Sequence, residues 1–178
     1  MSKLQNVTPE QAQGELANVY ADIKKQMGGV IQLFQALGNS TAALNGYLSI
    51  GGLLKGGHLS AVELETISLV TAQANSCEYC LSAHTVLGKK VGMKPEEILD
   101  ARKGTTSDPK AKALISFVRE VISEKGRTSD KSFSELQAAG YTDAQVPEIF
   151  LAIVQNIYTN YFNNFNGTKL DFPKVDSI

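Results

Sequence analysis

Ser76-Cys77-Glu78-Tyr79-Cys80-Leu81-Ser82-Ala83-His84 carries the only two cysteines of the chain and one of its two histidines. The spacing is C-x2-C-x3-H, and Glu65 stands twelve positions before Cys77. The sequence on either side decides the fold. Upstream, Ser60-Ala61-Val62-Glu63 is a capping box that opens a helix. Leu64, Ile67, Thr71 and Ala74 fall on one face of that helix. Asn75-Ser76 then prefers a cap or turn to a helix interior. Downstream, the spacing predicts a helix from about Cys77 to Val91, with Lys89 and Lys90 suited to its C-terminal end and Gly92 to the position just past it. The stretch is therefore an expected helical hairpin over 60–91.

The same punctuation recurs outward from the hairpin. Thr8-Pro9-Glu10-Gln11 reads as a helix start, followed by the stripe Leu16, Val19, Tyr20, Ile23 and Met27 and a stop at Gly28-Gly29. A short apolar piece runs from Val30 to Leu37, and Asn39-Ser40 offers a cap for a helix over 41–54. Gly46, Gly51 and Gly52 inside that helix weaken it and are expected to let a neighbouring helix approach closely. Pro95-Glu96-Glu97, Asp108-Pro109, Ser129 and Thr142-Asp143-Ala144-Gln145 mark four further starts, with Gly104, Gly126, Gly140 and Asn166-Gly167 as stops. Pro147 falls near the first turn of the last helix, where proline is tolerated. Leu170 and Phe172 are expected to pin an extended tail. No sustained period-2 alternation lies between turn signals, so the expected fold class is all-α, a compact multi-helix bundle. One domain is expected over 1–178, with a core motif region over about 40–105, C-terminal helices over 109–166 and the tail over 167–178.

Composition narrows the function. With 43% hydrophobic and 20% charged residues the chain resembles an ordinary globular protein, and at 178 residues it buries a core without staples. A net charge of −1 gives no electrostatic footprint for nucleic acid. No apolar run approaches the roughly 20 residues of a membrane span. Met1 to Asn6 has no apolar signal region, so a cytoplasmic location is expected. A close cysteine pair in that setting argues for redox or metal chemistry over a structural staple.

The residue types then select the chemistry. Cysteines three apart at a helix start have Cα atoms roughly 5 Å apart, within disulfide reach, and the helix N-terminus favours thiolate. His84 lies one turn beyond Cys80, and helical side chains lean toward the N-terminus, so its imidazole is expected to point back at Cys80 as a proton acceptor. Folding the hairpin about Asn75-Ser76 brings Glu65 opposite the neighbourhood of His84, where a carboxylate fixes the imidazole tautomer. A zinc site is the competing reading of the pair. It would need ligands from His84, His58 or carboxylates, and Cys77 and His84 are separated by a helical rise of about 10.5 Å. An inert buried pair is the other alternative. The last helix adds Asn156, Asn160 and Asn163 on one face and Ile149, Ile153, Ile157 and Tyr161 on another. The amide face is either solvated or a polar seam at a subunit contact or beside the thiols.

Glu65, Cys77, Cys80 and His84, with Ala74-Asn75 before them and Met93, Pro95, Glu96 and Glu97 after, closely resemble the carboxymuconolactone decarboxylase superfamily. The match is to its alkylhydroperoxidase D-like branch, whose motif is a glutamate, x11, then C-x2-C-x3-H. Asn160 to Asn163 and Leu170-Asp171-Phe172-Pro173 are similar to peroxidase-related members, so the likeness spans about residues 40–173. The resemblance implies an all-helical fold and a homo-oligomer (dimer, trimer or hexamer). It also implies a cysteine-dependent peroxidase or thiol–disulfide oxidoreductase with no haem or flavin cofactor. Its partners would be a hydroperoxide substrate and a dithiol or protein reductant. In the branch, glutamate and histidine relay protons to the second cysteine, here Cys80; the helix dipole alone favours Cys77. Tyr79 stands where those members carry a further histidine. An acid–base decarboxylase and a non-catalytic redox-sensing oligomer are the alternative functions.

Overall fold

The computed structural model describes residues 2–176 and residue 178. Among these it has nine helices and no strand: α1 (Gly14–Met27), α2 (Gln32–Leu37), α3 (Thr41–Lys55), α4 (Ala61–Ala74), α5 (Glu78–Lys90), α6 (Pro95–Lys103), α7 (Pro109–Ser123), α8 (Asp130–Ala138) and α9 (Gln145–Asn166). None is long and apolar enough to cross a membrane.

Helix α4 is the axis of the molecule. Its continuous run Thr66 to Ala72 is buried, and α5, α6, α7 and α9 all pack on it. A helix buried on every side must satisfy its polar side chains locally. The hydroxyls of Thr66, Ser68 and Thr71 donate to the carbonyls of Val62, Leu64 and Ile67 at 2.8, 2.8 and 2.7 Å. Ile67, Leu69 and Val70 join α7 and α9 in one apolar cluster with Phe117, Val118, Leu136, Ile149 and Ile153. Ala72 turns into a second cluster, built from Leu16, Tyr20, Ile23, Leu33, Phe34 and Leu37 of the N-terminal helices. Cys77, Tyr79 and Cys80 belong to this second cluster.

The capping signals account for most boundaries. Ser60 and Glu63 form the reciprocal box at the head of α4. Ser40, Asp108 and Ser129 cap α3, α7 and α8 through their side chains. Gly104 and Gly167 take left-handed conformations at φ 76° and 63°, where a Cβ would be strained, and end α6 and α9.

Four expectations are corrected. Thr8 to Gln11 does not open α1: the Gln11 side chain accepts from the Thr8 N–H at 3.0 Å, but this is an isolated turn. Ala12 and Gln13 separate it from the helix, which begins at Gly14 with φ 57°. Of the α3 glycines only Gly51 lies close to a neighbour, the Gln155 amide, whereas Gly46 and Gly52 face open space. Tyr161 does not continue the core face of Ile149 and Ile153; it is 60% exposed. Leu170 does not anchor the tail, being exposed itself. Asp171 does, accepting from the Tyr79 hydroxyl at 2.5 Å and the Gln32 N–H at 2.9 Å.

Candidate functional site

The site begins at the turn between α4 and α5. Ser76 adopts φ 51°, a left-handed conformation uncommon for a residue with a Cβ. The Cys77 N–H returns to the Ala72 carbonyl at 2.9 Å. Helix α9 clamps this turn: Asn75 Nδ2 donates to Asn160 Oδ1 at 3.0 Å and Asn164 Nδ2 donates to the Asn75 carbonyl at 2.9 Å. The reversal therefore occurs where Asn and Ser were expected to stop the first helix, and α5 starts at Glu78 with Cys77 as its N-cap.

Cys77 and Cys80 are joined as a disulfide with Cα atoms 5.3 Å apart. Cys77 Sγ accepts from the Cys80 backbone N–H at 3.3 Å, one of the free donors of the first helical turn. Both residues are nearly sealed, at 0% and 3% exposure. One turn further along α5, His84 Nδ1 lies 2.8 Å from Glu65 Oε2 of α4. Both partners are about one-sixth exposed, at 17% and 16%. The structure thus brings Glu65 to His84 and the two cysteines to each other. His58 stands apart, in a loop, with its Nδ1 2.6 Å from Glu148 Oε1.

The reading from sequence gave no partner to two phenols near this centre and left the α9 amide face between a solvated and a seam setting. Tyr79, between the cysteines, donates to Asp171 Oδ2. It accepts from the Leu33 N–H at 3.4 Å and meets the edge of Phe172, ring centroids 6.0 Å apart. Burial, and next the Asp171 carboxylate that takes its hydrogen bond, hold its phenol far above the ordinary value. Tyr47 of α3 is a second missed phenol, pushed up to about 12 by burial and then by the negative charge of Glu65. The α9 amides take one of their expected settings, a polar seam beside the thiols. Asn156, Asn160 and Asn163 are buried, not solvated. Asn156 Nδ2 donates to Ser68 Oγ at 3.1 Å and Asn163 Nδ2 to Cys80 Sγ at 3.4 Å. The face spacing in α9 was legible, but its partners lie some eighty residues away in sequence, so nothing local named them. Beside Asn163 and Tyr79 a cleft of about 280 Å³ opens between Ser76, Glu78 and Thr168.

Taken together, the arrangement offers a dithiol/disulfide couple, a carboxylate-held imidazole one turn away and an amide donor on one sulfur. Such groups suit proton transfer to and from sulfur.

An all-helical architecture arranged in this way defines the alkylhydroperoxidase D-like fold. The structure is similar to the alkylhydroperoxidase AhpD core of an uncharacterized peroxidase-related protein from Ralstonia eutropha JMP134 (TM-score 0.86, 20% identity, covering 96% of this chain and 92% of that one). It is also similar to an uncharacterized peroxidase-related protein from Silicibacter sp. TM1040 (TM-score 0.79, 18% identity, 95% and 94% covered). A third similar structure is the debrominase Bmp8 in complex with 2,3,4-tribromopyrrole (TM-score 0.78, 17% identity, 96% and 94% covered). Residues 41–120 match the model of the carboxymuconolactone decarboxylase family. The likeness to that family is thus carried by residues 41–120, and the likeness to the solved structures is one of fold. Among curated proteins, none matches it by sequence.

Proposed function

We propose that the protein is a cysteine-dependent peroxidase of the alkylhydroperoxidase D-like kind, acting through Cys77, Cys80, His84 and Glu65. The observation that carries this reading is the Cys77–Cys80 disulfide at the head of α5 with the His84–Glu65 pair one turn along. In the reduced protein, His84 takes the proton of Cys80, and the thiolate attacks the terminal oxygen of a hydroperoxide. The O–O bond breaks, the alcohol leaves with a proton, and Cys80 becomes a sulfenic acid. The Cys77 thiol then displaces water to form the disulfide. An external dithiol restores both thiols by exchange and is itself oxidised to a disulfide. No haem or flavin enters this cycle. The chemistry needs a reducing compartment, which fits a cytoplasmic setting.

A homo-oligomer belongs to the same reading. Leu151, Val154, Tyr158, Tyr161 and Phe165 recur at spacings of three and four along α9 and are all exposed, a stripe suited to a second copy of the chain.

Peroxide consumption in the presence of a dithiol tests the proposal. Wild type is expected to turn over, and Cys80→Ser and Cys77→Ser each to lose catalytic turnover. Equal rates in all three would refute it. One observation favours a second reading: the His84–Glu65 pair makes its contact without either sulfur. An acid–base decarboxylase built on that pair predicts activity that survives loss of both thiols.

A further inference from the structure

We propose that Asn163 is a positioning residue that makes Cys80, and not Cys77, the thiolate of the reduced pair; the inference rests on the thiol chemistry proposed above. Asn163 is 3% exposed, and its Nδ2 donates to Cys80 Sγ at 3.4 Å. Its Oδ1 is buried and has no hydrogen-bond partner among the described residues. A buried polar atom without a partner is destabilising; the neighbouring Asn160 bears the same cost at its Nδ2 while its Oδ1 holds the α4–α5 turn, so the contact with sulfur is what sets Asn163 apart. Here the amide is turned so that its donor faces sulfur and its acceptor is left idle.

The two sulfurs are consequently unlike. Cys77 Sγ has one donor, the Cys80 backbone N–H at 3.3 Å, and burial, nearly complete at both residues, does not separate the two. Cys80 Sγ has the Asn163 amide from α9 and stands one turn before His84. With Nδ1 engaged by Glu65, the imidazole presents Nε2 as its free nitrogen. When Cys80 ionises, its S–H bond breaks, the electron pair stays on Sγ and the proton passes to His84 Nε2. The new charge meets an N–H already in place. Asn163 is held there because its neighbours Asn160 and Asn164 bind the α4–α5 turn.

Other charges around the pair are engaged elsewhere. On α5, Glu78 is paired with Lys174 of the tail at 2.6 Å and Tyr79 with Asp171. Glu65 of α4 is held by His84, and Tyr47 of α3 carries no charge below its raised pKa of about 12.

The test reads thiolate directly, by ultraviolet absorbance against pH, in the reduced full chain. The Cys77→Ser variant leaves Cys80 alone and Cys80→Ser leaves Cys77 alone; the doubly substituted chain is the blank. The expected midpoint is lower for Cys80 than for Cys77. Asn163→Ala raises the Cys80 midpoint by about one pH unit, a roughly tenfold loss of thiolate below it, and leaves that of Cys77 unmoved. Asn163→Asp, which keeps the shape and replaces the donor by a carboxylate, raises it further. A Cys80 midpoint unmoved by Asn163→Ala, or one that moves equally with that of Cys77, overturns the proposal. So does a Cys77 midpoint below that of Cys80 with Asn163 in place, a comparison that holds even where the Asn163 variants do not fold. Because no peroxide is used, the result is separate from whether the protein is a peroxidase.

Discussion

At the scale of single residues, the proposed chemistry depends on the contact between His84 Nδ1 and Glu65 Oε2 at 2.8 Å. A general base of this kind contributes about 10²–10⁴-fold to rate. His84→Gln is therefore expected to lower kcat/KM for peroxide by a factor in that range while circular dichroism stays unchanged. Glu65→Gln, which leaves a weaker orienting partner, should fall between this variant and wild type. Steady-state kinetics on the two variants checks the order, and full activity in His84→Gln would remove the imidazole from the reaction. These two residues were legible because Glu65, Cys77, Cys80 and His84 lie within two consecutive helices, so helical period and one turn position fix their relation. Tyr47, Asn163 and Asp171 were not legible in the same way. Each reaches the cysteine region across a tertiary contact between distant segments, and no local spacing encodes which segments meet.

Among the elements, α4 determines how well the hairpin is held, and its head is secured by charge. Burial alone would raise the Glu63 carboxyl. Its hydrogen bonds from Lys110 and from Ser60 outweigh that effect and hold it below the ordinary 4.5. A depressed carboxylate contributes stability that is present above the unfolded pKa and is lost as pH falls through the folded one. Denaturant melts should therefore show wild type weakening as pH drops below about 4.5. The Glu63→Gln variant should be less stable near neutrality, by about 1 kcal/mol for loss of the charged cap, and should show a shallower acid decline. An identical acid slope in both would contradict this assignment. Most helix ends were readable because caps and glycine stops are local events. The start of α1 was not, since the glutamine-to-threonine bond forms as expected while Ala12 and Gln13 separate that turn from the helix. The exposed end of the α9 stripe was misplaced because periodicity identifies a face but not how far the core extends along it.

On the scale of the whole molecule, two apolar clusters meet across α4, and the cysteines lie in the one formed with the N-terminal helices. The outer face of α9 carries Val154 and Tyr161 at 58% and 60% exposure. If that face joins copies of the chain, sizing chromatography with light scattering will give an oligomer for wild type and a smaller species for the Val154→Glu/Tyr161→Glu variant. A wild-type monomer would exclude the interface. The all-helical architecture was legible from the density of start and stop signals, whereas the burial of the α9 asparagines against the α4–α5 turn required the assembled chain. The central claim is tested most directly by counting free thiols in the reduced protein before and after one equivalent of hydroperoxide. The account predicts that both thiols disappear together and that peptide mapping finds Cys77 bonded to Cys80. Thiols that persist unchanged after peroxide treatment would contradict it.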